Sequence, residues 1–532
     1  MARLKVFICL LLGVILAAGA GFVALPRLNE VRRSADLSPG DPLDDTTPGL
    51  ALTSTLMGGG RGLAVITLWS RAMAMQDEGK YFELVQLFDL IGRLEPHFPS
   101  IWQYAAWNMA YNVSVKFPDP QERWRWIRRG IEHARDKGIV YNPRSVDIYF
   151  ELAWIFFHKV GGVSFDEYSL YYRWQLAGEI QDILGPMPDL DAMVSAPGRD
   201  ELMADPGVSA LVEALVAAGA SPFSDPVALT REFGRAEAVS EVLADPAHAD
   251  ALSRLMPCLR RLGIEADWRL DVVRMQSLTE RFGPVDWRLP EAHALYWSTR
   301  GMEVAGEDDW VANADRVTIN SLVGLFRTGR LYFSRSADGP PTYITMADYR
   351  FIDSVNEVYA LAIERFAGES SEASFKDAQR NFLDDALVLL YTSGRVEEAG
   401  RYYDLVAALY PNPDYAATLS DFVANQVESG VVGQQIDQAQ GVVQGYVWRA
   451  LLMLATGDSD QASSLDLFTA RAWAGYLADY GEQGSAAPTY DELRRAMVRQ
   501  FLETMPDDLC LALREQLPAE LLPPDSDESS QR

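Results

Sequence analysis

The sequence predicts an all-α protein: a solenoid of helical hairpins behind one N-terminal transmembrane helix. Three observations predict it. From about Leu52 almost to the C-terminus, apolar residues recur at three- and four-residue steps, the period of a helix that buries one face. No sustained two-residue alternation interrupts them, so strands are expected to be few. A unit running 17 residues from glycine to proline occurs twice, at Gly79–Pro96 and Gly394–Pro411.

Composition narrows the function classes. A chain of 532 residues is too long for one ordinary core. Its 48% hydrophobic and 23% charged residues are a globular mixture. Three cysteines do not make a disulfide framework or a zinc-ribbon array, and five histidines do not suggest a His-rich metal site. A net charge of -28 would repel nucleic acid. No metal, cofactor or nucleic acid is therefore expected.

The first element is the anchor, residues 1–33. Arg3 and Lys5 precede an uncharged run, residues 6–25, about as long as the hydrocarbon core requires. Ala18-Gly19-Ala20 has the small-x-small form of a signal-peptide cleavage site, which leaves a cleaved export signal as the competing reading. Apolar residues continue past that site to Leu25, which favours an uncleaved single-pass anchor. The short basic start points to an extracytoplasmic body. Arg27, Arg32 and Arg33 on the far side weigh the other way.

Residues 34–51 are polar and Pro-rich and read as a linker. An N-terminal helical lobe is expected over 52–185. It is near neutral: residues 1–182 hold 19 Lys/Arg and 20 Asp/Glu, so almost all the negative charge falls beyond it. It also holds seven of the 13 tryptophans. Residues 186–265 are rich in Ala, Pro and Asp and read as a helical insertion. There Asp205-Pro206, Asp225-Pro226 and Asp245-Pro246 each signal a helix start, with Asp as N-cap and Pro at the first position. A second helical-repeat lobe is expected over 266–520, closing on a helix at roughly 491–516. Residues 521–532 are acid- and Ser-rich and read as a disordered tail.

The repeated unit carries the most information. Gly79 and Gly394 turn the chain between antiparallel helices. In the first copy Tyr81, Leu84, Leu87, Phe88 and Ile91 form one apolar face, and Pro96 ends the unit. These segments resemble the tetratricopeptide repeat, a helix-turn-helix unit of about 34 residues. In that register Gly79 and Pro96 match the turn glycine and terminal proline. Leu68 and Ala72, then Trp102 and Ala106, take the large and small helix-crossing positions. Leu84, Ile91 and Leu387 are larger than the family usually places there, and 47 residues separate Pro96 from Pro143, so the repeats are irregular. The stretch 58–162 and residues 283–297 also resemble a family of membrane-anchored, tetratricopeptide-like bacterial proteins without an assigned activity. That resemblance implies architecture rather than chemistry.

The same register implies that Trp69, Met73, Gln103 and Trp107 face a concave groove, with Asn108 and Asn112 one turn apart to grip a peptide backbone. The competing reading is ordinary packing of tryptophan between helices. On the helix from Gln121 to Lys137, Arg125 and Arg129 stand among Trp124 and Trp126 and would meet an acidic partner or lipid headgroups. The alternative is a solvated face. Gly58-Gly59-Gly60-Arg61-Gly62 lacks the ending of a phosphate loop and reads as a turn. Asp-Trp-Arg-Leu at 267–270 and 286–289 reads as a helix start with core packing, or as a recognition patch. No histidine has metal-ligand spacing, and no nucleophile–base set is evident. The expected function is a membrane-anchored scaffold mediating protein–protein interaction in a cell-envelope assembly, not an enzyme. The alternative is an all-helical glycan-binding or glycan-processing protein of the envelope.

Overall fold

The computed structural model describes residues 27, 30, 60–164, 166–231, 235–306, 311–335, 341–431, 436–479 and 488–522. The expected linker, the tail beyond 522 and, apart from Arg27 and Glu30, the expected anchor lie outside the described residues. Among the described residues no helix is long and apolar enough to cross a membrane. They form an all-α protein with one two-stranded hairpin. The chain divides into two compact units, 1–175 with 293–317, and 176–292 with 318–532.

The first unit begins with a hairpin of α1 (Gly60–Asp77) and α2 (Tyr81–Leu94). Its turn follows from Gly79, whose φ of 72° is open to glycine and strained for other residues. The Gly79 N–H donates to the Gln76 carbonyl and the Lys80 N–H to the Met75 carbonyl, which closes the end of α1. Ala72, Leu84, Phe88 and Ile91 are buried together with Ile101 and Ala105. Each large side chain so buried contributes roughly 1.5–3 kcal/mol.

Three further helices follow: α3 (Pro99–Trp107), α4 (Pro120–Glu132) and α5 (Val146–Trp154). Each runs on into a wide π-helical turn, at Asn108–Val113, His133–Gly138 and Ile155–Val160. Such turns are rare and often stand where a helix must re-aim its side chains. α6 (Ser169–Leu184) carries the chain from the first unit into the second.

In the second unit, Asp205, Asp225 and Asp245 each accept from backbone N–H groups two or three residues on. Asp205 thereby caps α7 (Pro206–Ala217). Asp245 starts a short turn that leads into α8 (Ala249–Asp267), which runs for 19 residues. Leu211, Leu215, Leu229, Leu255 and Leu259 give this region a core of its own.

Strands β1 (Arg330–Ser334) and β2 (Thr342–Met346) pair antiparallel, with Arg330 opposite Met346 and Ser334 opposite Thr342. The second repeat copy is the hairpin α9 (Ser370–Thr392) and α10 (Val396–Leu409). Its Gly394 has φ 76°, and the turn repeats the Gly79 hydrogen bonds, from Gly394 to Tyr391 and from Arg395 to Leu390. The match extends to the far end of the following helix. Glu95 and Tyr410 end two 14-residue helices at φ, ψ of -130°, 69° and -132°, 71°. The hairpin α11 (Ile436–Ala455) and α12 (Ser459–Asp479) turns through Gly457 in the same way. The expected closing helix at 491–516 is two helices, α13 (Tyr490–Thr504) and α14 (Asp507–Gln516). Pro506 breaks it, because a proline has no N–H and disfavours a helical residue before it.

Candidate functional site

The residues singled out in the N-terminal lobe fall into two groups, and the first forms a continuous aromatic row within the first unit. Trp69 on α1 meets Phe88 and Tyr104, with ring centroids 5.5 and 5.8 Å away. Tyr104 stacks on Trp107 at 5.9 Å, and Trp107 on Tyr111 at 5.9 Å. Tyr111 reaches across to His158 at 5.7 Å. His158 lies flat on Trp154 at 4.6 Å and 12°, and Trp154 stacks on Phe150 at 6.0 Å. Phe88 is buried, and the other seven side chains are half-buried. Met73 joins Trp69 at the start of the row, also half-buried.

The row follows from helix geometry. Tyr104, Trp107 and Tyr111 are spaced by three and four residues, and Phe150, Trp154 and His158 by four and four. Each triplet therefore lies on one helix face. Tyr111 and His158 sit in wide turns, and their polar atoms, Oη and Nδ1, are 3.1 Å apart.

Behind the row are buried polar groups. Asn112 Nδ2 donates to Asn108 Oδ1 at 2.7 Å, and Asn108 Nδ2 donates to the Tyr104 carbonyl at 3.0 Å. Asn108 is completely buried. It therefore orients Asn112 and cannot itself touch a partner, which corrects its expected peptide-gripping role. Gln103 is half-buried and hydrogen-bonds Glu151. Burial pushes the Glu151 carboxyl up to about 7, against the lowering effect of Gln103. Burial, and then Glu151, raise the Tyr111 phenol, while burial, and then Lys159, lower His158.

The second group lies on α4. Arg125 is exposed and pairs with Glu122, and Arg129 is exposed with its guanidinium 4.9 Å from the Trp126 ring. Trp126 meets Phe82 and Phe117. Exposed pairs of this kind contribute little to stability.

Other expectations resolve as packing. Trp102 is buried against Tyr141 and His133, with Nε1 on the Pro96 carbonyl at 2.7 Å. Trp268 and Trp287 are buried, and Arg288 forks onto Asp286 at 2.9 and 2.7 Å. Both Asp-Trp-Arg-Leu copies thus serve the core. His293 is buried against Phe156. Among the described residues no group of His, Cys, Asp and Glu is arranged to hold a metal ion. Tyr104, Tyr111, Phe150, Trp154 and His158 join the site beyond the residues expected from sequence, and their three- and four-residue ring spacing is the signal that marks them; Glu151 carries no such signal.

Fold and site define a class: an all-α protein of helical repeat-like architecture, with a half-buried aromatic row over buried polar groups. No protein-family model matches the chain, and no curated protein matches it.

Proposed function

We propose that this protein is a membrane-anchored, tetratricopeptide-like scaffold that docks a segment of a partner protein on its aromatic row, within a cell-envelope assembly. The row from Trp69 to Phe150 carries the reading. Half-buried tryptophan and tyrosine supply large apolar contact at small entropic cost, and they dominate binding energy where proteins meet. Asn112 and Gln103 stand among them as hydrogen-bonding groups for a peptide backbone. The residues 6–25 supply the membrane attachment in this reading. The solenoid register rests on the matched turns at Gly79 and Gly394.

Cross-linking with mass spectrometry in native membranes tests the proposal, with a chain lacking residues 1–33 as the control. The expected result is a reproducible partner linked through Lys80, Lys116 or Lys137, which the Trp107→Ala variant loses. Self-links alone, from intact and abundant protein, would refute the scaffold reading. The second reading, glycan binding, draws on the same row, because flat aromatic faces also suit sugar rings, and on Glu151, a carboxyl held near neutrality. Absence of binding to envelope glycans would exclude it, and binding that survives Trp107→Ala and Trp154→Ala would move it off the row.

A further inference from the structure

The second unit holds a groove of about 900 Å³, the size of a small-molecule site. It lies between β2, α9 and α11. Its walls are largely apolar: Ile344 and Met346 from β2, Val442, Tyr446 and Leu452 from α11, and Met505 beyond α13. Several of these are partly buried residues at the margin of the C-terminal core, so the groove is apolar core surface left uncovered.

One charged group in this groove meets no counter-charge among the described residues. Arg449 Nη2 donates to the Tyr349 hydroxyl at 2.9 Å, and no carboxylate among the described residues pairs with it. Tyr349 is itself fixed, with its hydroxyl 2.5 Å from Ser393 Oγ and the Arg395 guanidinium 5.2 Å from its ring. Arg449 is thus held by a neutral partner, and most of its five N–H donors remain for a ligand. The other cation lining the groove, Arg327, pairs with Asp385 at 2.5 Å, and the two cancel.

We infer that this groove binds a single-chain amphiphile with a carboxylate head, a long-chain fatty acid by chemical class. The chain lies against Val442, Tyr446, Leu452, Met346 and Met505, and the carboxylate on the Arg449 guanidinium. A carboxylate matches the guanidinium fork with two parallel hydrogen bonds. A phosphate monoester would fit the fork as well but carries nearly two charges, and the single guanidinium of Arg449 balances one. The inference is independent of the aromatic row in the first unit.

The test is photo-cross-linking of the full-length protein in peptidiscs with a sixteen-carbon fatty acid bearing a diazirine at its chain end, mapped by peptide mass spectrometry. Mapping separates the groove from the apolar residues 6–25, which any amphiphile would label. The expected result is labelling within 342–346 and 442–452. It falls by at least about tenfold in Arg449→Gln, and Val442→Trp, which fills the groove, abolishes it. The alcohol of the same chain labels as weakly as Arg449→Gln, and the alkyl phosphate labels less than the acid. Both variants are first shown to keep the wild-type melting transition. Acid and alcohol labelling the groove equally, the phosphate outcompeting the acid, or labels confined to other peptides would each overturn the inference.

Discussion

Lys159 Nζ lies 2.5 Å from the Asp166 carboxylate, and both side chains are almost fully buried. The wide turn at Ile155–Val160 carries the lysine inward, where its ammonium also faces the rings of Tyr111 and Tyr172. Burial lowers the lysine's pKa despite its partner. Burial raises Asp166, but Lys159, the Tyr168 N–H and the Tyr172 hydroxyl together outweigh it and hold the carboxyl low. Removing one charge strands the other. Asp166→Asn is therefore expected to cost about 3–5 kcal/mol, read by urea unfolding followed through tryptophan fluorescence. Pairing it with Lys159→Met should recover most of the loss. A cost below about 1 kcal/mol would mean that the pair is solvated.

Glu151 gives a pH signature. Its carboxyl sits at about 7 in the fold against 4.5 in the unfolded chain. The folded state then binds the proton more tightly, so the stability that Glu151 contributes is fully present below 4.5 and is lost as pH rises through 7. Glu151→Gln removes that slope. At pH 8 the variant should be more stable than wild type by up to about 3 kcal/mol, and at pH 4 nearly equal. Parallel stability–pH curves for the two proteins would refute this.

His133 acts on the acid side. Burial, and then Lys137, lower it to about 4, from 6.5 in the unfolded chain. Its imidazole is neutral in the fold, so its effect is absent above 6.5 and stability is lost as pH falls from 6.5 toward 4. His133→Phe, which keeps the ring against Trp102, should flatten the loss over that window in thermal melts.

Two glycines separate turn from helix. Gly394 has φ 76°, and a side chain there would also strike Ser464, whereas Gly400 lies within α10 with open space around it. Gly394→Ala should destabilise by more than about 1 kcal/mol, and Gly400→Ala should stabilise by roughly 0.5–1 kcal/mol. Equal effects in chemical denaturation would show that the turn does not need its left-handed residue.

The aromatic row predicts a graded loss of partner capture. Trp107→Ala removes the middle of the row and should abolish the cross-links. Arg125→Ala, on α4 with its side chain paired to Glu122, should leave them within about twofold of wild type. The reverse order would move the docking face onto α4.

Much of the fold was legible because its causes are local. A left-handed glycine, an Asp before a proline and a three- and four-residue apolar step each act within a few residues. The two Gly-to-Pro units therefore fold alike although their sequences share little beyond the pattern. Boundaries were less legible where helices continue through wide turns. Gln121–Lys137 reads as one uniform helix but becomes α4 followed by the turn at His133–Gly138. The short hairpin of β1 and β2 also escaped, since five-residue apolar strands do not stand out among helical periods.

The site was legible only in part. Trp69 and Trp107 were singled out from the repeat register, and both lie in the row. Asn108 was singled out on its spacing, which cannot distinguish an exposed amide from a buried one. Glu151 looks in the sequence like any of the 75 acidic residues. Burial beside Gln103 and Tyr111 makes it different.

Local chemistry along the chain thus decides the helices, their caps and their hairpin turns, because hydrogen bonds and backbone torsions within one turn are enough to specify them. Tertiary packing alone decides that Tyr111 meets His158 across 47 residues, and that Lys159 and Asp166 leave water together. It likewise decides that Arg449 lines a largely apolar groove where no carboxylate among the described residues pairs with it. Those relationships depend on which helix faces meet and how far each side chain is desolvated, and neither is a property of any short segment.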